Sequence, residues 1–287
     1  MTVLTYNKAD EFLNKVEPFL LKNEALNNLP LGVSYRLANG GGAHYKGEPF
    51  LGYKQSGDGE IQYALMRTPP HPWILAVGRD LSDQEVEDFW TYIDENHLSF
   101  PGLIGSRKSV ERIAERWKEQ TGLPYTVQME QKVFRLDEVE DIPMAEGELQ
   151  VAQPEHHELA TKWLKMFDKE AGATASGEEP EDTIQRMIDN QSLRLWVVDG
   201  EPVSMANASR PTQNGITVGA VYTPNEHKRK GYATSIVAKL SQTLLNEGYS
   251  FCSLYTDLSN PISNKIYQRI GYKPIGDSIV IQFQGEE

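Results

Sequence analysis

The chain has 287 residues, with 28 Lys and Arg against 41 Asp and Glu, and a formal net charge of -13. So acidic a chain lacks the basic face that general nucleic-acid binding needs. Its one cysteine, Cys252, excludes an intramolecular disulfide and agrees with a reducing cytoplasm. No run of about 18 apolar residues offers a transmembrane helix, and the first residues lack a basic region followed by an apolar core, so neither a membrane span nor a signal peptide is expected. A cationic or amine-bearing substrate suits the charge, and the same charge also serves solubility alone.

The first half opens with a helical stretch at 8–22. Segments 49–55 and 60–66 flank Ser-Gly-Asp-Gly, a hairpin signal. A buried strand at Trp73–Val77 follows, then a helix at 83–97 with Val86, Phe89, Trp90 and Ile93 at helical spacing. A short strand at 102–105 precedes a second helix at 109–120, with Ser109 as its expected N-cap and Gly122 as its stop. A long strand is expected at 125–136.

Segment 139–147 is acidic, contains Pro and Gly, and reads as a linker between a front domain at 1–140 and a second domain at 146–287. The second domain begins with a strand at 149–152 and helices at 156–170 and 180–190. Strands are expected at 192–198, 203–209 and 216–222, with turn signals Asp199-Gly and Asn214-Gly between them. A helix at 230–246, a strand at 251–256, a helix at 261–270 and a strand pair at 272–275 and 279–283 complete it. This order predicts an α/β protein whose mixed sheet has helices on both faces.

Two stretches carry chemistry. In Val218-Gly-Ala-Val-Tyr-Thr-Pro-Asn-Glu-His-Lys-Arg-Lys-Gly-Tyr-Ala-Thr234 a strand runs through a turn into a glycine-bearing helix start. That arrangement aims several backbone N–H groups at one spot, where an anion fits. Lys228, Arg229 and Lys230 stand at the positive end of that helix, a poor place for cations unless an anion joins them. Gly231 and Ala233 leave room for a bulky diphosphate, while Tyr232 after Gly231 excludes the nucleotide P-loop. In the second stretch, Asn260-Pro261 forms an N-cap with proline at the first helical position, and Gly271 is the stop. Ile262, Ile266 and Ile270 form the apolar stripe. Asn264 and Tyr267 share a neighbouring face, so the Tyr267 ring can be buried while its hydroxyl reaches a cleft; a core tyrosine with a satisfied hydroxyl is the plainer reading.

From about Leu149 to Phe283 the chain resembles the GNAT family of acetyl-CoA-dependent N-acyltransferases. The resemblance lies in Lys228-Arg-Lys-Gly231-Tyr-Ala233, which follows the family's pyrophosphate loop, and in Asn260-Pro-Ile-Ser-Asn264-Lys-Ile-Tyr267-Gln-Arg-Ile-Gly271-Tyr272, which follows its last helix. Lys228 departs from the family's usual Arg or Gln. The front half, with Arg67-Thr-Pro-Pro-His-Pro72, Pro101-Gly-Leu-Ile-Gly105 and Val133-Phe-Arg-Leu-Asp137, is similar to the front domain of a two-domain branch and reads as a degenerate copy of the same α/β fold, without an intact cofactor loop.

The resemblance implies direct transfer of an acetyl group from acetyl-CoA to an amine-bearing acceptor. It implies that Val221, Tyr222 and Thr223 bind the pantetheine arm like an added strand. Lys228, Arg229, Lys230, Gly231, Tyr232, Ala233 and Thr234 would hold the phosphates. Asn260 and Asn264 would contact the cofactor, and Tyr267 would protonate the leaving thiolate. A backbone N–H of 218–222 is the candidate oxyanion donor. No acidic residue lies on that strand, and Glu226, His227 and Asp257 leave the base open.

Other signals are weaker. Gly40-Gly-Gly-Ala-His-Tyr45 lacks a strand–helix context and reads as a loop, His156-His157 lack partners at ligand spacing so no metal is expected, and Cys252 reads as core. Two alternatives stay open: a non-catalytic acyl-CoA-binding or regulatory module, and a transferase using another acyl donor. The acceptor and the state of assembly, a homodimer among the options, are left open.

Overall fold

The computed structural model describes residues 3–41, 45, 47–171 and 178–285, and it divides into two compact units. One is Met1–Gln131 with Gly276–Glu287; the other is Lys132–Ile275. The loop expected at 40–45 lies partly outside the described residues.

In chain order the elements of the first half are β1 (Val3–Thr5), α1 (Ala9–Leu21), α2 (Asn28–Ala38), β2 (Phe50–Gln55), β3 (Ile61–Arg67), β4 (Trp73–Val77), α3 (Asp83–Glu95), β5 (Gly102–Ser106), α4 (Arg107–Thr121) and β6 (Tyr125–Leu136). The second half repeats that order with β7 (Glu148–Val151), α5 (His157–Ala171), α6 (Pro180–Asp189), β8 (Leu193–Val198), β9 (Glu201–Ser209), β10 (Gly215–Tyr222), α7 (Tyr232–Asn246), β11 (Phe251–Asp257), α8 (Pro261–Ile270) and β12 (Lys273–Phe283). Each half is thus strand, two helices, three strands, helix, strand, helix, strand.

The two last strands change places. In the first unit the sheet order is β1-β2-β3-β4-β5-β12, and in the second it is β6-β11-β10-β9-β8-β7. Ser278–Gln282 of β12 pair antiparallel with Ser106–Gly102 of β5. Ile279, Ile281 and Phe283 enter the core of Tyr63, Leu65, Trp73, Phe89, Trp90, Phe100, Leu103, Ile113 and Trp117. Phe134 and Leu136 of β6 enter the second unit's core with Val218, Ile236, Leu240, Leu254 and Ile270.

Two sequence expectations are corrected, and one helix is added. The strand pair at 272–275 and 279–283 is one strand, β12. Its Gly276 makes no turn; a Cβ there would come within 2.7 Å of Leu26 Cδ2, so the glycine permits close approach instead. Ser109 is not an N-cap: α4 starts at Arg107, and the buried Ser109 hydroxyl accepts a bond from the Leu81 N–H at 3.3 Å. Helix α2 was not expected, because Pro30 and Gly32 break its pattern; Pro30 sits in the first turn, where its missing N–H costs nothing.

Most caps follow the expected chemistry. Asn260 accepts from the Ser263 N–H at 3.1 Å, and Gly271 closes α8 in the left-handed conformation at φ +115. Of the expected apolar stripe, Ile270 is buried and Ile266 half-buried, while the Ile262 side chain lies outside the described residues. Cys252 is fully buried, as core.

Phe283 packs its ring 4.7 Å from Trp117 and 5.6 Å from Trp90 and Phe100, measured between centroids. Phe283→Ala is expected to destabilise the first unit by about 3–5 kcal/mol in urea unfolding, the usual cost of emptying an aromatic core position. A loss below about 1 kcal/mol would mean that the C-terminal strand is not part of that core.

Candidate functional site

The site begins where β10 leaves β11. The two strands pair in parallel only at Gly215–Thr217 against Phe251–Ser253, yet they continue to Tyr222 and Asp257. Beyond Thr217 the edge of β10 is therefore released from its neighbour. On its other side β10 follows β9 through Thr217–Ser209, Val218–Ala208 and Gly219–Asn207, then resumes at Tyr222–Met205 with one residue more on β10.

That extra residue is a β-bulge, and Ala220 within it stands at φ +48. The bulge resets which face each side chain meets. Ile216 and Val218 lie in the core beneath α7 and α8, and strict alternation would send Ala220 and Tyr222 there too. Instead Val221 packs on that core, while Ala220 and Tyr222 join the opposite one with Trp163, Leu164 and Met205. At Gly219 a Cβ would meet nothing within 4 Å, so the strand borders open space at the point where it splays.

The helix that follows begins at the glycine turn. Gly231 is the N-cap of α7 at φ +88, with no side-chain cap, and a Cβ there would meet only Ala145 Cβ at 3.5 Å. A positive φ is natural for glycine and strained for other residues. Arg229 also stands at positive φ, +66. The first intrahelical bond recorded here is Ser235 N–H to Gly231 O at 3.0 Å, so the N–H groups of Tyr232, Ala233 and Thr234 belong to a first turn without internal partners. These N–H groups and the dipole suit a diphosphate.

The loop cations differ among themselves. Arg229 and Lys230 are exposed and have no ion-pair partner among the described residues. Lys228 does: its Nζ donates to both oxygens of Glu170 on α5, at 3.0 and 2.9 Å. The same ammonium lies 5.9 Å over the Tyr222 ring, and the Tyr222 ring lies 6.4 Å from Trp163. Glu170 escapes a reading of the sequence because it precedes Lys228 by 58 positions and belongs to no motif.

The remaining expected site residues divide between contact with the splay and structural duty. Val221 is half-buried, and Thr223 is buried with its hydroxyl 2.8 Å from Ser204 Oγ, which also donates to Tyr222 O at 2.9 Å. Thr234 is buried, and Tyr232 and Ala233 are half-buried. The Asn260 side chain caps α8. The Asn264 Oδ1 accepts from Thr256 Oγ1 and its Nδ2 donates to Asp257 O at 3.4 Å, so Asn264 fastens α8 to the free end of β11.

Tyr267 follows one turn later, its ring 6.5 Å from Phe134 and 6.0 Å from Tyr272. Burial pushes its hydroxyl up to about 12, so the group stays protonated across the physiological range. The hydroxyl has no protein hydrogen-bond partner among the described residues. No group of His, Cys, Asp and Glu able to hold a metal occurs among the described residues. His156 Nδ1 accepts the Gln153 N–H at 2.9 Å, and His157 Nε2 lies 3.1 Å from Glu181 O.

The first unit has the equivalent strand–turn–helix, β4 into α3, and there the same place is filled. Ser82 caps α3 and receives the Glu85 N–H, while the Glu85 carboxylate receives the Ser82 N–H at 2.8 Å. Arg79 donates twice to Glu85, at 2.7 and 2.8 Å. An internal carboxylate thus occupies the positive end of this helix. The parallel ladder of β4 and β5 spans three pairs, Trp73–Leu75 with Leu103–Gly105, the same length as that of β10 and β11.

With this geometry in hand, comparison with known proteins is informative. The family model described as FR47-like protein matches residues 195–280, all but the last few of which lie in the second unit. No curated protein matches the chain. Among solved structures, an acetyltransferase from the GNAT family from Colwellia psychrerythraea is similar over 99% of both chains, with 12% identity and TM-score 0.58. A tandem GNAT protein from the clavulanic acid biosynthesis pathway covers 100% of this chain and 99% of its own, with 14% identity and TM-score 0.59. A Drosophila protein is similar over 99% of both chains at 11% identity and TM-score 0.70. At these identities the likeness is one of fold, and it extends through both units.

Burial pushes the Glu85 carboxyl up, but the bonds from Arg79 and Ser82 outweigh it and hold the group at about 2. A carboxylate held below its unfolded value stabilises the fold above that value, and the contribution is lost as pH falls from about 4.5 towards 2. Glu85→Gln is expected to cost roughly 2 kcal/mol at pH 7, allowing for the exposure of Arg79, and to remove this part of the acid dependence of urea unfolding. An acid profile identical to that of the parent chain would contradict the internal-anion account.

Proposed function

Because the chain carries the fold of the GNAT superfamily in its two-domain form, we propose that it is an N-acetyltransferase that moves the acetyl group of acetyl-CoA directly to an amine. The observation that carries the reading is the pairing of a released β10 edge with an uncapped α7 start, both in the second unit. The pantetheine arm extends along the free edge at Val221–Thr223, where main-chain groups can bind it as an added strand. The diphosphate sits on the N–H groups of 231–234, with Arg229 and Lys230 beside it.

Chemistry then follows from charge. The acceptor must lose its proton before attack, since an ordinary primary amine has a pKa near 10. Its lone pair forms the C–N bond at the thioester carbonyl, and the oxygen gains negative charge. A backbone N–H of the splayed strand 218–222 is the candidate donor to that oxygen. The carbonyl re-forms as the C–S bond breaks, the departing thiolate takes the proton of the Tyr267 hydroxyl, and the proton shed by the new amide nitrogen restores the tyrosine. Burial keeps the Tyr267 hydroxyl neutral and protonated at working pH, so its proton is present when the thiolate forms.

The first unit takes no part in holding the cofactor on this reading, since Glu85 and Arg79 fill its equivalent turn. One acetyl-CoA per chain is expected. The setting proposed is the cytoplasm, and no helix among the described residues is long and apolar enough to cross a membrane.

Tyr267→Phe is expected to lower turnover by roughly 10²-fold with little change in cofactor affinity. An unchanged turnover number removes Tyr267 from the acid role. Gly231→Glu places a charged side chain at a positive-φ position facing the phosphates, and calorimetry is expected to find no acetyl-CoA binding. Parental affinity in that variant would overturn the assignment of the turn.

A further inference from the structure

The ion pair between Lys228 and Glu170 places a primary ammonium at the splayed end of β10. That ammonium is held by both oxygens of Glu170, at 2.9 and 3.0 Å, and lies over the face of Tyr222. The surroundings are those a cation prefers. Tyr222 and Trp163 provide aromatic walls, and Glu226 lies one short turn beyond the strand. The Tyr222 hydroxyl is buried and has no hydrogen-bond partner among the described residues, although its residue is only 3% exposed. A buried hydroxyl without a partner is costly, and a bound polar group beside it would relieve that cost.

Lys228 also belongs to the loop that leads into the α7 start. It can face Glu170 or the diphosphate, but one ammonium cannot serve both. The helix α5 that carries Glu170 turns its Trp163, Phe167 and Glu170 positions to one side, at helical spacing of four and three. Trp163 packs on Tyr222 from that side, so Glu170 stands next to the end of β10 and not at a distant surface.

We propose that Glu170, with the Tyr222 and Trp163 rings, is the binding place for the acceptor's ammonium, and that Lys228 occupies it as an internal stand-in until acyl-CoA draws Lys228 to its diphosphate. The acceptor class follows: an aliphatic diamine, one amino group of which stays charged on Glu170 while the other, unprotonated, attacks. An order of binding follows as well, cofactor before acceptor. The inference rests on reading the α7 start as the acyl-CoA site. It assigns Glu170 to positioning of the acceptor, outside the bond-making steps.

Calorimetry with CoA and 1,5-diaminopentane tests it. The parent chain is expected to bind the diamine about tenfold more tightly with CoA present than without, a coupling of ordinary size. Glu170→Gln is expected to lose diamine binding in both conditions, and to bind CoA about threefold more tightly because Lys228 is already free of an exposed ion pair. Lys228→Gln is expected to bind the diamine equally with and without CoA. Diamine affinity that is undetectable in the parent chain, independent of CoA there, or unaltered by Glu170→Gln overturns the inference. CoA binding that is weakened by Glu170→Gln overturns it too. Failure of the parent chain to bind CoA at all is a different result: it removes the acyl-CoA reading, and this inference falls with it.

Discussion

Between Gly219 and Tyr222, β10 carries one more residue than the β9 segment it faces, and the architecture of the second unit turns on that mismatch. The bulge tilts β10 away from β11 just where their parallel ladder ends. It frees a row of main-chain groups, and a free edge is normally a liability that a fold must cover. Here the edge is followed by a helix start with uncapped N–H groups, and the proposed acyl-CoA would meet both requirements at once. The bulge also reverses the phase of the strand, so that Tyr222 turns towards Trp163 while Val221 turns towards the α7 core.

The two units show the same scaffold with opposite outcomes. Both carry a strand, a turn and a helix in the same order, β4 into α3 and β10 into α7. In the second unit the helix start is glycine, with cations before it and nothing capping it. In the first it is Ser82 with Asp83 and Glu85 in the first turn, closed by Arg79. The dipole requirement is equal in both. One helix meets it from within and gains stability; the other leaves it unmet among the described residues.

The alternation of strands and helices was legible because periodicity, Gly-turn pairs and caps such as Asn260 and Gly271 are local properties of the sequence. Gly231 was legible as the start of α7 for the same reason. The bulge was not, since Ala220 at positive φ carries no signal that a neighbouring alanine lacks. The exchange of β6 and β12 between cores was also hidden: Ile279, Ile281 and Phe283 announce a buried strand but not which core buries them. The pairing of Glu170 with Lys228 depends on how α5 crosses β10, a tertiary fact. The duty of Asn264 as fastener shows the same limit, because an asparagine at the right spacing serves a ligand or a neighbouring strand equally well.

The central claim is that the start of α7 and the free edge of β10 hold acyl-CoA, and that the corresponding place in the first unit does not. Amide hydrogen exchange with and without acetyl-CoA measures this directly. The account predicts slowed exchange at 219–223 and 231–235, with exchange at 79–86 unchanged. Slowed exchange at 79–86, or none at 231–235 under saturating ligand, would contradict it.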